Sequence, residues 1–259
     1  MTTSLAVCAI FKNEKPYLRE WLEFHRMVGV EKFYLYNNIS TDDFLEVLQP
    51  YIDNGLVDLV DWPYPSPCQL QAYTNCIEKL KGQKLWVAFI DLDEFLFAPC
   101  ADKVTDILNQ LPMACAVGVN WMCFGSGGLE KYDDRPLTER FHLRCNENNW
   151  ENTHIKSIIR MDQNVRVGGD PHYFQVEKGT YNENGVAISG PWSPHTSRLL
   201  RINHYKTKSR EEWIARIEKG KADNPGYQLN WKHFDCVNTF EVDDRTIQRF
   251  LPELKIKLQ

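Results

Sequence analysis

Along the first ninety positions, apolar and polar residues come in alternating blocks. Leu5-Ala6-Val7-Cys8-Ala9-Ile10-Phe11 is an unbroken apolar run, the pattern of a strand buried on both faces. Lys12-Asn13-Glu14 breaks it. From about Pro16 to Val28, Leu18, Trp21, Leu22 and His25 recur at helical spacing. Lys32 to Tyr36 predicts a second strand, ending in the polar cluster Asn37–Asp43, which suits a helix cap. A helix follows over Phe44–Tyr51, then a strand over Val57–Trp62. A loop marked by Pro63, Pro65 and Pro67 leads to a helix over Gln69–Leu80 and a strand over Leu85–Ile90. This β-α-β-α-β-α-β order predicts an α/β fold: a Rossmann-like, mostly parallel sheet with helices on both faces.

The rhythm then changes. Ala114–Phe124 reads as a strand, Gly125-Ser126-Gly127-Gly128 as a loop of small residues, and Leu199–Tyr205 as a further apolar strand with a polar tip. One clear helix spans about Ser209–Lys221, opened by a capping box of Ser209 and Glu212. No linker or repeat interrupts the chain. The expectation is one domain over 1–259, with a nucleotide-binding half (1–112) and an acceptor-side half (113–259).

Composition removes several function classes. Thirty Lys and Arg against 35 Asp and Glu give a net charge of −5, so the basic footprint of a nucleic-acid binder is missing. The eight cysteines form no CxxC pair, which argues against a zinc site or disulfide framework and for a reducing cytoplasm. No signal-peptide pattern opens the chain, and no apolar stretch is long enough to span a bilayer. The expected location is cytoplasmic, at most peripheral at a membrane.

Candidate chemistry concentrates at Ile90-Asp91-Leu92-Asp93-Glu94-Phe95. If the strand continued through them, Asp91 and Asp93 would point the same way and Glu94 the other. Two like charges on one face repel unless a cation or proton lies between them. Mg²⁺ and Mn²⁺ favour such oxygen ligands and bridge them to phosphates. Asp-x-Asp is also common by chance, and turns favour Asp. The apolar residues on both sides nevertheless place the acids inside the fold, where an unpartnered carboxylate is costly. Neither Walker A nor GxGxxG occurs, so a diphosphate would need a metal. His154, His172, His195 and His204 lie in the second half, and His204 ends an apolar strand as the acids do. Lys206, Lys208 and Arg210 follow it and could meet phosphate or simply face solvent.

These segments together resemble glycosyltransferase family 92 and related GT2-like proteins. The resemblance is carried by Ile10–Glu14 with Tyr17–His25, Tyr36–Asp42, Ile90–Phe95, Trp121–Gly128, Glu139–Phe141, His154–Ser157 and Asn203–Tyr205, in order over about residues 5–222. It implies a GT-A fold, a nucleotide-sugar donor, Mn²⁺ or Mg²⁺, and inverting transfer to a glycan or glycolipid acceptor, often of galactose from UDP-galactose. Carried over by position, Asp91 and Asp93 hold the metal with His204. Lys12, Asn13, Glu14, Asn37, Asn38, Gln71, Asp91 and Leu92 bind the donor. Glu139 is the general base, with Asp134 and Asp170 as rivals; its neighbour Arg140 suggests an ion pair instead. Gly-Gly-Leu stands at 127–129 where the resemblance leads one to expect Ser-Gly-His. Two other classes are compatible with acids at strand ends and many tryptophans. One is a metal-dependent nucleotidyltransferase or phosphohydrolase. The other is a non-catalytic sugar-binding module using Trp62, Trp121, Trp150, Trp192 and Trp231.

Overall fold

A computed structural model of the chain describes residues 3–111, 114–220, 226, 228–239 and 241–259. In chain order the first half contains β1 (Leu5–Phe11), α1 (Lys15–Met27), β2 (Lys32–Asn37), α2 (Phe44–Asp53), β3 (Val57–Asp61), α3 (Gln69–Leu80) and β4 (Trp86–Phe89). Then come β5 (Glu94–Phe97) and α4 (Val104–Leu108). The second half adds β6 (Ala116–Cys123), α5 (Leu137–Arg140), β7 (Leu143–Arg144), β8 (Ile155–Arg160), β9 (Val165–Val167) and β10 (Phe174–Val176). It ends with β11 (Thr180–Tyr181), β12 (Ala187–Ile188), β13 (Arg201–His204), α6 (Arg210–Lys219), α7 (Trp231–Asp235), β14 (Val242–Asp243) and α8 (Leu251–Leu258).

The main sheet has the order β12-β11-β6-β8-β4-β1-β2-β3. Strands β3, β2, β1 and β4 are parallel, and β8 enters antiparallel between β4 and β6. This is the expected α/β architecture, with one sheet running through both halves. The expected boundary at 112/113 lies outside the described residues, as does Lys221 at the expected end of α6.

The apolar runs explain the layering. In β1, Leu5, Val7, Ala9 and Phe11 pack in one core with α1 and α2 residues such as Trp21, Leu22 and Leu48. Ala6, Cys8 and Ile10 pack on the other face with Ala72, Tyr73, Cys76 and Ile77 of α3. Period-two alternation thus feeds two cores, and both sets must be apolar.

The acid segment differs from the expected strand tip. β4 ends at Phe89, and Asp91-Leu92-Asp93 forms a turn before β5. β5 pairs antiparallel with β13, so that Glu94 stands opposite His204. β13 also runs parallel to β6, with His204 opposite Cys123. This small sheet brings residues 110 positions apart in sequence to one point. Helix α1 supports the turn from beneath. Trp21 Nε1 donates to the carbonyls of Asp91 at 3.2 Å and Glu94 at 2.9 Å.

Candidate active site

A cleft of about 400 Å³ opens over the carboxyl ends of β1, β2 and β4, where ligands of open α/β sheets usually bind. Asp91, Leu92, Asp93 and His204 line it, together with Lys12, Glu14, Asn38, Gln69, Trp121 and Lys206. The sequence-based expectation therefore gathers most of its residues into one place.

The two aspartates do not face each other across an empty space, because each has its own cation. Lys156 of β8 donates to Asp91 Oδ2 at 2.8 Å and lies 3.7 Å from Glu94 Oε1. Asp91 Oδ1 accepts from Gln69 Nε2 at 3.0 Å. Glu94 is fully buried, and its carboxylate caps the Asp91 amide at 2.9 Å. Burial pushes the Glu94 carboxyl well up, with Lys156 opposing. Burial also opposes charge on Lys156, but Asp91 and Glu94 more than offset it and hold the ammonium above its ordinary range.

Asp93 is bound by a different set. Arg216 of α6 forms an ion pair with its Oδ2, and His204 Nε2 lies 3.5 Å from the same oxygen. Burial disfavours the charge, yet Arg216 and then His204 hold this carboxyl well below the usual range. Burial lowers His204, leaving a neutral imidazole whose Nδ1 has no hydrogen-bond partner. A second basic cluster sits beside it. Lys219 pairs with Glu14, and Lys208 Nζ stands 3.8 Å from the other Glu14 oxygen and 3.6 Å from the centre of the Tyr17 ring. Helix α6 thus contributes two cations to the cleft rim, Arg216 and Lys219. Both are tied to carboxylates on the opposite wall.

Two carboxylates and a neutral imidazole are a suitable donor set for Mn²⁺. However, no group of three His, Cys, Asp or Glu is assembled for a metal among the described residues. Assembly would require Arg216 to release Asp93.

The remaining expected site residues divide clearly. Asn13 and Asn37 serve the loops. The Asn13 amide donates to Ser40 Oγ at 3.0 Å and its Oδ1 accepts from the Thr41 amide at 2.7 Å. Asn37 Nδ2 donates to Asp61 at 3.0 Å. Asn38 lines the cleft and holds the carbonyls of Trp62 and Tyr64.

Two expectations need correction. Gln71 is exposed on the outer face of α3 and does not line the cleft; Gln69, two residues earlier and so on another side of the helix, makes the contact with Asp91. Glu139 lies in a different hollow, beside Arg135, His142, Arg245 and Gln248, and pairs with Lys255 at 2.7 Å. Nor does it pair with Arg140, which forms a buried two-bond contact with Glu212 at 3.0 Å. Of the rivals, Asp134 is exposed near Glu139 in the chain. Asp170 precedes Pro171 and His172, which line the cleft, and accepts the His172 amide at 2.7 Å.

Lys156, Gln69 and Arg216 escaped the sequence reading as site residues, whereas Trp121, expected there only as a sugar-stacking ring, lines the cleft. The signal for Lys156 was a lysine inside the apolar strand Ile155–Arg160. Arg216 carried none, since a cation on an amphipathic helix ordinarily faces water.

The fold and the cleft describe an α/β protein with a charged cleft at the carboxyl ends of its parallel strands, and the comparisons make the class specific. Glycosyltransferase family 92 matches residues 3–226, so the chain belongs to that family. A family 92 protein of Oryza sativa subsp. japonica is 28% identical over 91% of this chain and 38% of its own length. A beta-1,4-galactosyltransferase of Caenorhabditis elegans is 31% identical over 90% of this chain and 54% of its own length. The chain therefore spans about two fifths to one half of these relatives. The S. aureus TarS structure in complex with UDP-GlcNAc aligns with 98% of this chain and 72% of that chain, at 9% identity and a TM-score of 0.49. No helix among the described residues is long and apolar enough to cross a membrane.

Proposed function

We propose that this chain is a metal-dependent, inverting glycosyltransferase. It would move a sugar, galactose being the first to test, from a UDP-linked donor to a hydroxyl of a glycan or glycolipid. The observation that carries the reading is the convergence of Asp91, Asp93 and His204 with Lys206, Arg216 and Lys219 in one cleft. Acids alone would repel a diphosphate, and cations alone would bind any phosphate. Both together suit a divalent ion bridging protein carboxylates to a diphosphate. Asp91, Asp93 and His204 would hold Mn²⁺, which when bound offsets charge on the leaving nucleoside diphosphate.

The chain's own groups do the remaining work. Lys156 holds one oxygen of Asp91 in place, and Gln69 fixes the other. Arg216 and Lys219, once free of Asp93 and Glu14, are placed to meet the diphosphate. Lys12 and Asn38 border the part of the cleft over β1 and β2, where base and ribose would lie. Inversion needs a base on the acceptor hydroxyl opposite the leaving group. We assign it to Asp170, the one acid of the three candidates whose neighbours form the cleft wall.

Calorimetry of UDP with Mn²⁺ and with EDTA tests the reading. Tight binding with metal that weakens in EDTA, and that Asp93→Ala abolishes without unfolding the chain, is the expected result. Equal affinity in both conditions refutes the metal role. Release of pyrophosphate or phosphate, and not UDP, would point to a nucleotidyltransferase or phosphohydrolase.

A further inference from the structure

Trp150 and Trp192 are exposed to 60% and 57%, although a tryptophan offers 150–250 Å² of surface whose burial is favourable. Their rings flank one residue. Trp150 lies 5.3 Å and Trp192 5.9 Å, centre to centre, from the ring of His154. His154 in turn stacks on Trp121 at 4.9 Å and 25°, and its Nδ1 donates to the Glu151 carbonyl at 3.0 Å. Trp121, Trp150 and His154 all line the cleft that holds the acids.

The backbone beneath both rings is firmly held. The carbonyl before Trp192 accepts the Ile155 amide at 3.1 Å, and the amide after it donates to the Thr153 carbonyl at 2.8 Å. Trp150 opens a short 3-10 turn, Trp150–Thr153, capped by Asn149. Asn149 is itself tied to the Cys236 carbonyl at 2.9 Å. Exposed aromatic faces on ordered backbone are pre-organised for a ligand, since little freedom remains to be lost on binding.

From this geometry we infer that Trp150 and Trp192 form a stacking platform for pyranose rings of the acceptor glycan, at the outer edge of the cleft. The inference rests on the sugar-transfer reading and adds the place and chemistry of acceptor binding. A pyranose presents an apolar face of C–H groups whose slightly positive hydrogens suit the negative face of an indole. Its rim of hydroxyls needs polar partners. The platform offers both: two ring faces, with His154, Glu151 and Lys206 beside them. A membrane or protein partner would call for a broader continuous apolar patch, whereas here the two indoles are separated by an imidazole and bordered by charge.

The test uses the full chain with Mn²⁺ and UDP present. β-1,4-Galactotetraose and chitotetraose are the probes, and binding is followed by tryptophan fluorescence and saturation-transfer NMR. At least one probe should bind, and Trp150→Ala and Trp192→Ala should each weaken it by about tenfold or more, in the range of aromatic stacking elsewhere. Trp192→Ala should keep the parent's UDP affinity and melting temperature. Trp192→Phe should retain most of the binding, because the ring face remains. Unchanged binding in both alanine variants overturns the platform. So does failure of both probes to bind while UDP binds normally, or a fluorescence response only to lipid vesicles. A loss of UDP affinity in Trp192→Ala would place the ring at the donor and overturn it too. Oligosaccharide binding that needs both rings, in a chain that never binds UDP, would leave the platform standing and remove the transferase reading.

Discussion

His25 links the acid turn to acid stability. It is fully buried in α1, its Nδ1 donates to the Trp21 carbonyl at 2.8 Å, and its Nε2 accepts the Leu96 amide at 3.1 Å. An imidazolium could not accept that amide. Burial pushes the imidazole down from 6.5 to about 3. Between those two pH values the unfolded chain holds a proton that the folded chain refuses. Stability must therefore fall as pH falls through this window. With those two pKa values, the loss from pH 7 to pH 5 comes to about 2 kcal/mol for this residue. Other groups titrate as well, so the decisive quantity is a difference. Urea unfolding of the parent and of His25→Gln at both pH values would supply it. Glutamine can keep a donor and an acceptor but does not titrate. The parent should lose about 2 kcal/mol more than the variant. Parallel losses, agreeing within ~0.5 kcal/mol, would refute a neutral buried His25 as the cause.

Further predictions concern the site. Lys156→Met strands Asp91 and buried Glu94 without their cation, which should cost about 3–5 kcal/mol and lower the melting temperature by roughly 10 °C. Adding Glu94→Gln should recover part of it, and an unshifted melting curve for the single variant would contradict the pairing. Arg216→Met removes the guanidinium that holds Asp93, so Mn²⁺ should bind the nucleotide-free chain more tightly; calorimetry showing weaker binding would mean that Arg216 does not compete with the ion. Gln69→Ala should weaken UDP binding in Mn²⁺ while Gln71→Ala leaves it unchanged, read by the same titration. Glu139→Gln should transfer sugar at a near-normal rate in a UDP-release assay, since its partner is Lys255; a fall of 10²-fold, the scale expected for loss of a base, would reinstate it.

Much of the fold was open to reading because the determining signals are local. Continuous apolar runs such as Leu5–Phe11 mark strands buried on both faces, and the spacing of Leu18, Trp21 and Leu22 marks one helix face. Alternation of those elements leaves few options besides a parallel sheet. The capping box at Ser209 likewise announced α6. The need of Asp91 and Asp93 for partners was legible for a related reason: charged residues among buried apolar ones must be compensated, and that need is visible without knowing what meets it. The partners themselves come from far along the chain. Lys156 is 65 residues from Asp91, and Arg216 is 123 residues from Asp93. The pairing of β13 with β5 and β6 brings His204 to Glu94, and no spacing encodes that register. The misplacement of Glu139 has the same origin. Its place in the resemblance suggested the cleft, but which side of a sheet a segment reaches depends on the packing of α5 and α8. Sequence alone determined that this chain must bury acids and compensate them. Only tertiary structure decided that Lys156 and Arg216 do so, because compensation acts through distance in space.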